Sequence, residues 1–301
     1  MFELKNEKIA IPVVLFAGLL WSFGPLVVRH MDEPGLVPWQ YIFARGLTIF
    51  IVLNLYLYFE EGNKFYQNYF RAGISGFVGG LGLGIAMITF IYSITNTSAA
   101  ITLLCLAAMP FFTALLGFLF LKEKISLNVW IAIIIATFGI IIIALGNTDQ
   151  NSLIGLVFGM TSSIGFSIFS VSLRWRKETP KFTTVAIAGI FCVIVASIFI
   201  IMNELSFFST GYNGALFSLH GTIVCMGLIL YSIGSKVIPA AELTLLSLTE
   251  VIGGIFWVWL PLFGVNEIPS TNTIIGGFFL FMSIIYYSLT IKTNRRFIAL
   301  N

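Results

Sequence analysis

Charge is what this sequence has least of. Of its 301 residues only 10% are Asp, Glu, Lys or Arg, while 58% are hydrophobic and the mean hydropathy is +0.99; soluble domains carry about a quarter charged residues. A chain this poor in charge cannot cover a water-facing surface, which excludes an ordinary soluble enzyme or binding domain. Cysteine is scarce too. Cys105, Cys192 and Cys225 lie inside apolar segments, with no CxxC and no histidine at ligand spacing. Neither a disulfide framework nor a metal site is expected, and the three read as small core residues. There is no glycine-rich loop ending in Lys and Ser or Thr, no HExxH and no nucleophile elbow. That excludes an internal ATP engine and a soluble catalytic module, and no cofactor is called for. The basic residues, which leave a net charge of +3, are scattered and not interleaved with aromatics, so nucleic acid is not an expected partner.

What the chain has in abundance is Ile, Leu and Phe, in blocks of about twenty residues, the length of helix that crosses the hydrocarbon layer. Punctuated at charges, Asn, Gly and Pro, these blocks give ten candidate spans: 9–28, 37–59, 69–91, 97–120, 128–146, 152–173, 182–203, 213–235, 239–262 and 272–292. The first has no small-residue cleavage site and opens a series, so it reads as a retained helix. Short connections leave no room for a soluble domain and force neighbouring helices to run antiparallel. The fold class is therefore an all-α polytopic membrane protein with ten transmembrane helices. On that count, every Lys and Arg except Arg29 and Arg45 falls on one side. The positive-inside rule then places both termini in the cytoplasm of a multi-pass protein of the inner (cytoplasmic) membrane.

The two halves overlay. LLWSFGPLVVR, Leu19 to Arg29, faces IGFSIFSVSLR, Ile164 to Arg174, which sets Trp21 opposite Phe166 and Ser22 opposite Ser167. SAAITLL from Ser98 faces PAAELTL from Pro239, and LKEKIS around Glu123 faces VNEIPS around Glu267. Two five-span repeats are expected, 1–147 and 148–301. Because five is odd, the second enters from the opposite side and the pair is inverted, the usual construction of secondary transporters. Duplicated bundles also serve as channels or inert scaffolds.

With these features the sequence resembles the drug/metabolite transporter superfamily, and within it the EamA-like ten-helix permeases. The resemblance covers essentially the whole chain. It rests on the paired halves, on Trp21-Ser22 where relatives often have Trp-Gly or Trp-Ala, on Arg45 in an apolar second span, and on TSAAITLLCLAAMPFFTALLGFLFLKEKIS. In that stretch Pro110 and Glu123 match the family's fourth-helix proline and helix-ending glutamate; Glu250 and Glu267 match the late glutamates of the second half. Val251 departs from the pattern, since relatives often have proline there, which leaves open whether the ninth helix bends. The resemblance implies a bundle whose cavity is lined mainly by spans 1, 3, 4, 6, 8 and 9, moving small organic molecules, commonly outward.

Within AELTLLSLTEVIGGIFWVWL, Glu250 lies near the midplane of span 9. A charge there is costly unless it faces protein or a wet cavity, so Glu250 is expected to point inward. Its roles are to carry a proton, to bind an amine on the substrate, or to brace two helices. Glu242, near the end of the span, reads as structural, reaching water or Lys236. Arg45 either binds a substrate carboxylate through a bidentate pair, snorkels to the headgroups or locks span 2. His220 lies at a depth comparable with Glu250 and is a candidate proton relay with it. Ser163, Ser167 and Ser170 share one face of span 6, where hydroxyls also bond their own helix. With Trp21, Ser22 and Tyr92, and less strongly Tyr231, Ser163 and Ser167 are candidates to shape the pocket. Gly80, Gly84, Pro110, Gly253 and Gly254 are candidate hinges, with close packing as the alternative.

The reading is a secondary transporter, an exporter of small metabolites such as amino acids or related amphipathic compounds, working by alternating access with proton coupling open. The alternatives are a non-transporting scaffold or channel and a membrane enzyme acting on lipid-linked substrates; no enzymatic activity is expected. Partners are a small-molecule metabolite and membrane lipid, with a homodimer left open.

Overall fold

The computed structural model describes residues 7–146, 152–176, 178–268 and 270–298. The expected repeat boundary at 147/148 lies outside the described residues, as do Lys5 and Lys177 and the side chains of Lys8, Lys292, Arg295 and Arg296. Thirteen α-helices follow in order: α1 (Glu7–Trp21), α2 (Gly24–Arg29), α3 (Pro38–Glu61), α4 (Gln67–Asn96), α5 (Ala99–Leu106), α6 (Met109–Leu116), α7 (Leu127–Gly146), α8 (Ser152–Trp175), α9 (Lys181–Met202), α10 (Gly211–Gly234), α11 (Ala240–Leu246), α12 (Thr249–Trp259) and α13 (Thr271–Ile298). No strand occurs among the described residues. Eight helical runs are long and apolar enough to cross a membrane. Helices α7 and α13, packed along each other, carry shorter apolar stretches, Leu127–Ile142 and Ile274–Tyr287. The ten expected spans thus correspond to eight clear ones and these two.

The polarity of the bundle is turned outward. Large apolar side chains such as Phe70, Ile74, Phe120, Ile134 and Ile201 are exposed, while Arg45, Glu250, His220 and a series of serines and threonines are buried. This distribution suits a hydrocarbon surround, which attracts apolar surface and leaves polar groups to find partners inside. Cys105, Cys192 and Cys225 are buried free thiols.

Three spans are each made of two helices. In the first, Pro25 stands at the start of α2 and denies the chain one ladder donor, so the helix turns at Ser22 and Phe23. In the fourth, α5 stops at Leu106 and α6 begins at Met109, next to Pro110. Around this break the backbone bonds tighten to Ala108 N–H on the Cys105 carbonyl and Phe111 N–H on the Ala108 carbonyl, both 3.1 Å. The ninth span breaks in the equivalent place, between Leu246 and Thr249, without a proline. There the N–H groups of Leu248, Glu250 and Val251 turn to carbonyls three residues back. The hydroxyls of Thr244 and Ser247 compete for carbonyls of the preceding turn. Local hydroxyl chemistry therefore bends this helix where Val251 replaces the expected proline.

Of the candidate hinges, Pro110 adjoins a break, whereas Gly80 and Gly84 lie in continuous α4 and Gly253 and Gly254 in continuous α12. A Cβ on Gly80 would stand 2.7 Å from Ile187 Cβ, and one on Gly254 2.8 Å from Leu103. These glycines let helices approach. The kink in α4 is instead at Gly73, with φ 55°.

The packing has a regularity. Span 3 lies along spans 6 and 7, span 8 along spans 1 and 2, span 2 along span 7, span 5 along span 10, span 4 along span 9 and span 6, and span 9 along span 1. Replacing each span by the one five places on leaves this set of neighbours unchanged. At the crossing of α3 and α9, Gly46 and Gly189 face each other: a Cβ on Gly46 would meet the Gly189 carbonyl oxygen at 2.8 Å, and one on Gly189 would meet the Gly46 carbonyl at 2.9 Å. Gly46→Ala is expected to lower stability by about 1–3 kcal/mol, because neither backbone can move aside without shifting a helix. Gly214→Ala, where the Cβ meets nothing within 4 Å, should leave the melting temperature in detergent level or slightly raised. Equal effects from the two would contradict this account of the crossing.

Candidate functional site

A cavity of about 50 Å³ lies between the spans. It is lined from span 1 by Trp21, span 2 by Arg45, span 3 by Leu83, Ala86, Met87 and Phe90, span 4 by Leu106 and Met109, span 6 by Ser162 and Phe166, span 8 by His220, Val224 and Leu228, and span 9 by Glu250. The walls are largely apolar and aromatic. Three ionisable groups interrupt them.

Arg45 extends from α3 into this space instead of snorkelling. It is 5% exposed, and its Nε and Nη1 atoms have no hydrogen-bond partner. The ring of Phe90 lies 5.7 Å from the guanidinium carbon, at cation–π range, and Arg45 couples electrostatically with Tyr41, Cys192 and Glu250. Glu250 is the second residue of α12, placed by the break at the positive end of a new helix, which favours a carboxylate. It is 9% exposed, and among the described residues its carboxylate receives no hydrogen bond. His220, on α10, is better secured. Its Nδ1 pairs with the hydroxyl of Tyr41, one helical turn before Arg45, and its Nε2 edge lies against Gly24, where a Cβ would stand 2.9 Å away.

Trp21 closes one wall. Its Nε1 donates to the Val224 carbonyl at 3.2 Å, and its ring meets Phe166 edge-on at 5.5 Å and Tyr231 at 5.4 Å. Tyr231 stands behind, pairing its hydroxyl with Ser170 at 2.6 Å.

The structure thus brings Trp21, Arg45, His220 and Glu250 to one cavity. Ser22, Tyr92, Ser163 and Ser167 are not among its lining residues. Ser22 accepts from Trp257 Nε1 at 2.8 Å and donates to the Leu19 carbonyl at 2.6 Å. Ser163 and Ser167 donate to the carbonyls of Cys105 and Met109, tying span 6 to the break in span 4. Tyr92 packs between Trp39 at 5.1 Å and Phe158 at 5.3 Å. Glu242 accepts from the Tyr287 hydroxyl of α13. Sequence reasoning passed over Tyr41, Phe90, Met87, Met109 and Ser162. Tyr41 carried a signal, because its four-residue spacing puts it on the same helix face as Arg45.

A bundle of apolar helices around a cavity that holds buried charges fits a multi-pass membrane transporter, and the comparisons with known proteins support that class. Residues 8–145, just under half of the chain, match the profile of the EamA-like transporter family. Two relatives are each called an uncharacterized transporter. One, from Helicobacter pylori strain J99 / ATCC 700824, is 25% identical over 67% of both chains. The other, from strain ATCC 700392 / 26695, is 24% identical over the same shares. A solved crystal structure superposes with a TM-score of 0.75 over 96% of this chain and 99% of its own; at 17% identity it shows the shared fold.

Arg45 and Glu250 are buried and coupled electrostatically across the cavity without a hydrogen bond between them. The double replacement Arg45→Met with Glu250→Leu is expected to melt at the same temperature or higher, because replacing both members of a buried charge pair by apolar residues is often neutral or stabilising, whereas either replacement alone leaves the other charge uncompensated. Tyr41→Phe is expected to cost about 1–3 kcal/mol by orphaning a buried histidine nitrogen. Thermal unfolding in detergent checks both. A marked loss of stability in the double replacement would show that the two groups brace the bundle.

Proposed function

We propose that this protein is a secondary transporter that exports small zwitterionic metabolites, amino acids or related amphipathic compounds, across the cytoplasmic membrane. Both termini lie in the cytoplasm, where the basic connections gather. The observation that carries the reading is the pairing in one cavity of an arginine and a glutamate that the protein itself leaves without hydrogen bonds. A carboxylate docks on the planar guanidinium through two parallel bonds. An ammonium group at the other end of the same small molecule meets Glu250. The apolar part then rests on Met87, Phe90, Met109 and Phe166.

Movement follows from the repeat. The halves 1–147 and 148–301 act as inverted units that exchange conformations around the central site. The packing that survives a shift of five spans supports this, as do the matching breaks in spans 4 and 9. Glu250 has a second role open to it, since a carboxylate alternately exposed to each side carries protons; His220, held by Tyr41, stands by as its relay. A scaffold has no use for two buried charges that brace nothing.

The test is counterflow in proteoliposomes with labelled amino acids, with and without a pH gradient. Saturable exchange is expected for zwitterions, falling at least tenfold in Arg45→Met and in Glu250→Gln while both variants stay folded, the scale of losing a charge-assisted contact. Absence of saturable flux for any zwitterion, or full activity in both variants, would overturn the assignment.

A further inference from the structure

Two ion pairs stand outside the cavity. Arg29, the last residue of α2, donates through Nε to Glu267, and through Nη1 and Nη2 to the carbonyls of Ile94 and Thr97 at 3.4 and 3.3 Å. Arg174, in the last turn of α8, donates through Nε to Glu123 at 2.6 Å, and through Nη1 to the carbonyls of Ser235 and Ile238 at 3.1 and 2.9 Å.

The two networks are the same network twice. A shift of five spans carries Arg29 at the end of span 1 to Arg174 at the end of span 6. It carries Glu267, past span 9, to Glu123, past span 4, and the last carbonyls of span 3 to those of span 8. Each arginine ties the end of its own half's third span to the fourth-span glutamate of the other half. With successive spans antiparallel, the pairs lie at opposite ends of the bundle. The cavity is between them: Trp21 and Phe166 each precede their arginine by eight residues, roughly 12 Å of helix at 1.5 Å per residue.

We propose that Arg29–Glu267 and Arg174–Glu123 are the two gates of the cavity, opened one at a time. This rests on the transporter reading and adds to it the contacts that close each end. Each pair bridges the two halves at one end, on spans that line the cavity, so separating it parts the spans there and leaves the other end closed. The ends are not equally held. Glu123 also accepts from the Ala240 amide at 3.3 Å, whereas the second oxygen of Glu267 has no such bond among the described residues. The glutamate side chain is 37% exposed at the Arg29 end against 22% at the Arg174 end. The Arg29–Glu267 gate is therefore the one that opens first when no substrate is bound.

The full-length protein in membrane vesicles tests this. Met87→Cys supplies a cavity thiol in a background with Cys105, Cys192 and Cys225 replaced by alanine, and a membrane-impermeant maleimide is applied to each face in turn. Glu267→Gln is expected to raise labelling from the Arg29 face, and Glu123→Gln from the Arg174 face, each roughly two- to fivefold, the shift expected from losing a part-exposed ion pair. The charge exchange Arg29→Glu with Glu267→Arg should restore the labelling of the unexchanged protein, which also guards against a variant that merely misfolds. Changes equal on both faces, or no change on either, overturn the gates. Flux of labelled amino acids is measured in parallel. Side-specific labelling without flux keeps the gates and removes the proposed substrate; flux without side-specific labelling does the reverse.

Discussion

The structure depends on a guanidinium and a carboxylate that the protein buries around one cavity without hydrogen-bonding either. Moving either ion out of water costs several kcal/mol even after relaxation, and hydrogen bonds ordinarily recover part of that cost. Arg45 and Glu250 make none with the described residues, and are coupled only electrostatically, across the cavity into which both project. A charge held this way has its free energy set by whatever enters. Water, a proton on Glu250, or a molecule bearing a carboxylate and an ammonium each compensate it differently, and that difference gives a transporter its preference. The neighbouring groups are arranged to keep the two free. His220 has its Nδ1 engaged by Tyr41, and Arg45 is steadied by an aromatic face that offers no lone pair.

Making room for such a cavity inside a bundle requires interrupted helices, and in a membrane an interruption must satisfy its own backbone. The two breaks solve this in related ways. In span 4, the carbonyls of Cys105 and Met109 accept hydroxyls of Ser163 and Ser167 from span 6. In span 9, the Thr249 hydroxyl donates at 3.2 Å to the Leu15 carbonyl of span 1. Each fourth helix is thus tied at its break to the first helix of the other half. The break in span 9 also creates the helix start that carries Glu250, so backbone geometry and site electrostatics are the same feature.

Most of the fold could be read from the chain, because hydrophobic length is a property of consecutive residues. The spans and the inward direction of Glu250 followed from counting apolar blocks and from the expense of a charge among them. Arg45 was legible as a candidate but not as a resident of the cavity, since a long flexible chain in the outer half of a span fits headgroups equally well. The serines of span 6 show the opposite limit. Their spacing put them on one face, but a hydroxyl serves a carbonyl or a ligand with the same geometry, and only the neighbouring break decides between them. The bend in span 9 was hidden for a related reason: proline marks a break in sequence plainly, while Thr and Ser produce one only where the tertiary neighbours accept it. Phe90 and Met87 gave no sign, because in a chain this apolar the wall of a cavity and the face against lipid use the same residues.

On the proposed exchange of halves, the two terminal ion pairs can be weak and still matter. Part-exposed pairs contribute about 0–1 kcal/mol each, too little to hold a bundle together. A device that must open with every cycle needs contacts of this size, since a deep desolvated pair would hold one end shut. Both pairs are formed in this structure, so opening either end breaks one weak pair while the other stays made, and the two openings cost nearly the same. The difference that remains is small: the Ala240 amide on one glutamate, and the proline-broken turn in span 1 that its counterpart span 6, the continuous α8, does not share. A ligand that binds one arrangement better by a similar amount is enough to reverse the balance, so the affinity of the central site and the strength of the gates have to be of the same order for either to control the other.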